Sequence, residues 1–184
     1  MIEKRILGVK NATLNVAFQI FVIKFLDYGA TWRFLRSGSI ATQMFIKIYR
    51  IKTVSSNGVQ KVNGVGDSLK SEFLGIFNYS VIGMIQNQAG PWKPGEPEIP
   101  LGEAINLYYK FANEFNSYFQ SQNPHRIELI EDMSLEEFLY KLYTKFYRFQ
   151  KIQEKYSEHS ELLKGAYKEM MLWSVFGHHK IKAL

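Results

Sequence analysis

Four of the five prolines fall within Gly90-Pro-Trp-Lys-Pro-Gly-Glu-Pro-Glu-Ile-Pro100, and no helix can run through that stretch. Proline lacks the amide a helix needs and drives the residue before it out of the helical region, so residues 91–100 read as an extended linker. The linker separates a first unit, residues 1–90, from a second, residues 101–184. On both sides apolar residues recur at helical spacing. They predict helices over about Ala12 to Asp27, Ile40 to Val54 and Asp67 to Gln86, then over about Gly102 to Gln122, Leu135 to Lys155 and Glu158 to Phe176. Ser55 to Gly66 reads as a loop, because Asn57-Gly58, Asn63-Gly64 and Gly66 are turn signals, and Asp67 is set to cap the third helix. Gly29 suits a left-handed end to the first helix. Ser134-Leu-Glu-Glu137 is a capping box that fixes the start of the fifth. The expected fold is all-α, about six helices arranged as two packed three-helix units.

The two units also align on each other. An offset of 95 residues lays Ser39 over Ser134, Phe45 over Tyr140, Arg50 over Lys145 and Ile51 over Phe146. An offset of 90 lays Gly75 over Gly165 and Phe77 over Tyr167. A degenerate duplication is the expectation, since two such units bury more apolar surface together than one does alone. Chance likeness of amphipathic helices is the alternative.

Composition narrows the chemistry. The chain has no cysteine and four histidines, which removes disulfides and thiolate metal sites and leaves few ligands for zinc. His178-His179 reads as a surface pair. The most apolar run, Val16 to Leu26, is about half a membrane span and is interrupted by Gln19 and Lys24. Met1-Ile-Glu-Lys-Arg5 does not lead into a secretion signal, so a cytoplasmic protein with no membrane partner is expected. Residues 1–92 hold 11 Lys/Arg against 4 Asp/Glu, whereas residues 93–184 hold 12 against 13. The basic first half suits a polyanionic partner, a nucleotide or a nucleic-acid backbone, or else is a solvated basic surface.

Several residues stand out in that half. Arg33 and Arg36 are three apart and would share one side of a helical turn, offering donor forks to phosphate or carboxylate, unless they are simply surface flanking a Trp32 and Leu35 core. Gln43, Lys47 and Arg50 form a stripe opposite Phe45, Ile48 and Ile51. Glu72 and Asn78 are polar residues in an apolar run, and the nearby Lys47, Arg50, Arg33 and Arg36 are their natural partners, as an ion-pair network or as a ligand site. No Ser-His-Asp order, phosphate-binding glycine loop or metal-binding histidine pair is present. Trp92 and the tyrosines of the second half, Tyr108, Tyr109, Tyr140, Tyr143 and Tyr147, belong either to the core or to an association surface that would make a homo-oligomer.

Asp27-Tyr28-Gly29-x-x-Trp32-Arg33-x-x-Arg36, then Ser39, Lys47-x-x-Arg50-Ile51-Lys52 and Asp67-x(4)-Glu72-Phe73-x-Gly75-Ile76-x-Asn78-Tyr79 resemble, in order, the nucleotide-modification-associated domain family, first type. That family is a small all-α domain of bacteria and phages formerly treated as a domain of unknown function, and the resemblance covers roughly Lys24 to Gln86. Its Bacteroidetes-type members look like tandem pairs, which implies a degenerate second copy here. The resemblance implies a role in nucleotide or DNA-base modification metabolism. It points to Arg33, Arg36, Lys47 and Arg50 as phosphate contacts and to Asp27, Tyr28, Asp67, Glu72 and Asn78 as the polar floor of a pocket. The family is loosely similar to helical nucleoside-triphosphate pyrophosphohydrolases, which hold magnesium on carboxylates of adjacent helices.

The chain departs from that pattern. Many members carry Asp where Thr42 stands, and small phage members carry a second acid where Gly75 stands. Glu72 and Asp67 lie about 140° apart around a helix and cannot replace a face-sharing pair. In the second unit Gln122-Asn-Pro-His-Arg-Ile-Glu128 takes the place of the Asp-Tyr-Gly run. The leading expectation is therefore a nucleotide-binding helical protein, with a nucleic-acid-binding or scaffold module as the alternative. A magnesium-dependent pyrophosphohydrolase is the third reading, and the second unit is expected to be structural or partner-binding.

Overall fold

The computed structural model describes residues 2–56, 69–90, 92–156 and 160–181. Among them are seven α-helices, one short 3-10 turn and no strand. Helix α1 is Ile2–Tyr28, the 3-10 turn is Thr31–Phe34, α2 is Ser37–Ser56 and α3 is Leu69–Ala89. After the linker come α4, Leu101–Gln120, α5, Pro124–Asp132, α6, Leu135–Lys155, and α7, Glu161–Lys180. None of the described helices is long and apolar enough to cross a membrane.

The chain is all-α as expected, but α5 is an additional helix. Asn123-Pro124 looks like a helix breaker and acts instead as a starter: the Asn123 side chain accepts the His125 amide, and Pro124 occupies the first turn, where its missing amide is harmless. Other boundary signals hold. Gly29 ends α1 at φ 60°, with its amide donating to the Phe25 carbonyl at 2.7 Å. The Glu137 amide donates to Ser134 Oγ at 3.2 Å, at the predicted start of α6. The cap predicted at Asp67 lies outside the described residues.

Helix α3 is buried almost continuously from Glu72 to Asn87, and α7 from Met170 to His178. Helices apolar all round belong at a centre, and these two form the most extensive pair in the molecule. Helix α2 packs on α3, α6 packs on α7, α2 and α6 also touch, and α1 and α4 cover the other side. All the buried apolar residues form one continuous core, so the packing does not divide the helices into two three-helix units.

The central pair runs antiparallel with close backbone approach at two glycines. A Cβ on Gly83 would stand 2.2 Å from the Tyr167 ring, and one on Gly177 would stand 2.0 Å from the Phe73 ring. One shift of 94 residues carries Gly83 onto Gly177 and Phe73 onto Tyr167. The same shift lays Leu69-Lys70 on Leu163-Lys164 and Ser80-Val81-x-Gly83 on Ser174-Val175-x-Gly177. By contrast, the pairing of Gly75 with Gly165 joins unlike surroundings, since Lys47 crowds Gly75 and nothing lies near Gly165.

His178 is not a surface residue. It is buried and hydrogen-bonded to Thr13 Oγ1 at 3.0 Å, which ties α7 to α1.

Candidate functional site

In the first half α1, the 3-10 turn, α2 and α3 line a cleft of about 830 Å³ that is open to solvent. Its walls are largely aromatic, with Phe21, Phe25 and Tyr28 from α1, Trp32 from the turn and Tyr79 from α3. Its polar groups are Lys24, Thr31, Gln43, Lys47, Ser71, Glu72 and the amide of Asn78. A cavity of this size and mixed lining matches the usual form of a small-molecule site.

Glu72 organises the polar side. Its carboxylate is buried and takes Lys47 Nζ at 3.2 Å on one oxygen and Arg50 Nη1 at 2.9 Å on the other. The i, i+3 spacing on α2 brings both cations to one acid on α3. Lys47 can lie flat there because residue 75 has no side chain: a Cβ on Gly75 would stand 2.3 Å from Lys47 Cε. The ammonium also sits 5.8 Å from the centre of the Tyr79 ring, whose hydroxyl donates to Gln43 Oε1 at 3.4 Å. Burial pushes the Tyr79 phenol above its ordinary pKa, so it stays a neutral donor. Trp32 is buried against the cavity, and its indole N–H has no partner among the described residues.

The arginines of the expected phosphate site separate. Arg33 is buried and does not line the cavity. Its Nη1 donates to Gln86 Oε1 and, at 2.5 Å, to the Gly90 carbonyl, and its Nη2 lies 3.6 Å from Glu96. Gln86 completes this clasp by donating to the carbonyls of Trp32, Arg33 and Leu35. Trp92 closes it from the linker, donating its amide to the Arg33 carbonyl and meeting Phe34 edge-on at 5.1 Å. Arg33 therefore fastens the turn and the linker to the end of α3 through its two terminal nitrogens, while its buried Nε has no partner among the described residues. Arg36 is away from the cavity.

The expected floor is also redistributed. Tyr28 lines the cavity, with Lys24 5.3 Å over its ring. Asp27 points to solvent, 3.7 Å from Lys24. Asn78 reaches the cavity wall but spends both ends of its amide on structure: Nδ2 donates to the Ala17 carbonyl and Oδ1 accepts the Tyr108 hydroxyl, each at 2.9 Å. Asp67 lies outside the described residues. Sequence reasoning missed Lys24, Ser71 and Gln86. Lys24 had a signal, its i, i+4 relation to Tyr28, whereas the clasp by Gln86 depends on a contact 53 residues away.

Magnesium does not fit the described residues. Glu72 is the one carboxylate among those lining the cavity, and cations occupy both its oxygens. No three His, Asp or Glu side chains converge anywhere among the described residues.

A second polar cluster stands in the other half, between α4, α5, α6 and α7. Arg126 Nη2 holds both oxygens of Glu169 at 2.6 and 2.7 Å, Tyr118 donates to it at 2.6 Å, and Lys145 and Trp173 Nε1 complete the shell at 2.9 and 3.1 Å. Burial pushes the Glu169 carboxyl up, but the hydrogen bonds from Arg126, Tyr118 and Lys145 outweigh it and hold the pKa at about 2. Burial and the adjacent Glu169 push the Tyr118 phenol up to about 12.

No curated protein and no solved structure matches the chain. Residues 24–86, the segment that supplies most of the cavity wall, match the family model described as nucleotide modification associated domain 1, and the resemblance read from the motifs holds over that segment.

Proposed function

We propose that the chain binds a nucleotide in the cavity of its first half, with a role in nucleotide or DNA-base modification metabolism. The observation that carries this reading is the lining itself: aromatic walls suited to a base stand beside the Lys47 ammonium, which can donate to a phosphate, while Arg50, which does not line the cavity, holds the other oxygen of Glu72. The unpartnered indole N–H of Trp32 adds a donor with nothing among the described residues to satisfy it. Arg33 and Arg36 are not among the phosphate contacts, since one is consumed by the clasp and the other stands away from the cavity.

The second half supports the assignment by contrast. We read the chain as a degenerate duplication in the 94-residue register, and in that register Gly75 falls on Glu169. Where the first half has a bare glycine and a cavity, the second has a glutamate tied to Arg126, Lys145 and Tyr118. The second copy is filled by its own side chains and serves as structure.

The competing reading makes the Glu72 group a stabilising network in a chain that binds no nucleotide, and it draws on the full occupation of the Glu72 oxygens. A thermal-shift screen of ribo- and deoxynucleotides, with and without magnesium, separates the two. A ligand that binds only the folded state raises the melting temperature by mass action. The expected result is a selective rise that disappears in Gly75→Glu, where a side chain like that of Glu169 fills the space and recruits Lys47. No rise for any nucleotide at millimolar concentration overturns the proposal.

A further inference from the structure

The exposed side of the α2–α6 seam carries the other unusual surface of the molecule. Helix α2 has Lys47, Arg50 and Lys52 and no acidic residue. Between Glu137 and Glu154, α6 has Lys141, Lys145, Arg148 and Lys151 and again no carboxylate. Lys47 and Lys145 turn inward to Glu72 and Glu169, and Lys151 meets Glu154 at the end of the helix. Lys52, Lys141, Arg148 and Lys151 remain on the exposed side.

Aromatic rings are interleaved with these cations. Tyr49, Tyr143 and Tyr147 are about half exposed, at 57%, 45% and 56%. Phe45 bridges the helices, its ring 6.1 Å from Tyr49 on α2 and 6.0 Å from Phe146 on α6. Lys52 of α2 lies 5.5 Å over Tyr143 of α6, and Lys151 lies 5.6 Å over Tyr147. An amphipathic helix ordinarily surrounds its apolar face with mixed charge, yet between Glu137 and Glu154 this surface exposes rings among cations, and its one paired carboxylate, Glu154, lies at the end of α6.

We propose that the α2–α6 face binds single-stranded nucleic acid. Cations track a phosphate backbone while exposed rings stack on bases, which is how sequence-tolerant single-strand sites are built. A second copy of the chain is a poor occupant, because a two-fold contact through this face would set cation against cation. Duplex suits it less, since paired bases hide the faces the rings would stack on. This site is separate from the nucleotide cavity, which lies on the opposite flank of α2 at Gln43 and Lys47.

Fluorescence anisotropy of the full chain with labelled oligothymidylate and oligouridylate of about 20 nucleotides, and with a duplex of equal length, tests the proposal. Single strands are expected to bind more tightly than duplex. Four phosphate contacts at a single-strand slope of about −0.7 each predict a loss of roughly 50-fold between about 50 and 200 mM salt. Tyr143→Ala and Tyr147→Ala should each weaken binding by about 5-fold or more while keeping any thermal shift given by mononucleotides. Arg148→Ala should lower the salt slope, and Lys93→Ala in the linker should not. A preference for one oligomer over the other identifies the strand as DNA or RNA. Equal affinity for duplex, unchanged affinity in both tyrosine variants, or no binding at about 50 mM salt overturns the proposal. So does a dimer in sedimentation that the tyrosine variants dissolve.

Discussion

Arg33 and Gly75 stand within one motif-bearing segment and have opposite jobs. Arg33 is a positive charge used for construction, and removing it leaves Gln86 Oε1 and the Gly90 carbonyl without their donor in a buried place. Arg33→Ala is expected to lower stability by about 2–3 kcal/mol, read by chemical denaturation, while Arg36→Ala changes it by less than about 0.5 kcal/mol. Gly75 works through what it lacks, since the space over it belongs to Lys47. Gly75→Ala meets only the end of a flexible side chain and gains helix propensity, so its stability should stay within about 1 kcal/mol of the parent. Gly177→Ala instead meets the buried Phe73 ring, and a loss of about 3 kcal/mol is expected in the same measurement. Equal costs for the two glycine variants would contradict the packing described for α3 and α7.

At the scale of elements, individual caps were legible in the sequence, whereas helix number was not, nor was the start of α1, which begins at Ile2 and not near Ala12. Ser134 and Gly29 act through bonds to residues three and four positions away, and local chemistry can be read locally. Asn123-Pro124 is equally local but ambiguous, because the same dipeptide ends one helix or begins another depending on the residues C-terminal to it. If it is a true start, Asn123→Ala should cost about 1 kcal/mol, and Ser134→Ala the same, both read by thermal or chemical denaturation. A negligible effect at Asn123 would mean that α5 is held by its tertiary contacts, buried Ile127 and Ile130 and the Arg126–Glu169 pair, and not by its cap. The linker, extended by its prolines, is also docked, since Trp92 packs on Phe34 and donates its indole N–H to the Glu96 carbonyl at 3.0 Å.

For the whole molecule, the Glu169 cluster sets a demand on pH. Glu169 has its pKa lowered from 4.5 to about 2, so the folded state holds this carboxylate charged where the unfolded chain would protonate it. The resulting stability is fully present above about pH 4.5 and is lost as the pH falls through about 2, an effect on the order of 2–3 kcal/mol for a mostly buried group. Denaturation at a series of acidic pH values should show this loss in the parent and a flatter profile in Glu169→Gln. An unchanged profile would remove Glu169 from the groups that set acid stability. The Glu169 cluster also illustrates what was illegible in the sequence, for its partners come from α4, α5, α6 and α7, up to 51 residues apart.

The sequence by itself determined the all-α class, the break at residues 90–100, the end of α1, the starts of α4 and α6 and the family resemblance over residues 24–86, because propensity, capping and motif spacing are all properties of neighbouring residues. It also marked Glu72, Lys47 and Arg50 as a charged group, since an acid within an apolar run must find a cation. Only the tertiary structure decided which arginine builds and which stands apart, that Asn78 is consumed by Tyr108 and Ala17, and that Lys47 occupies the space over Gly75. Those outcomes depend on which helices meet and at what register, and contacts between residues distant along the chain leave no local pattern to read.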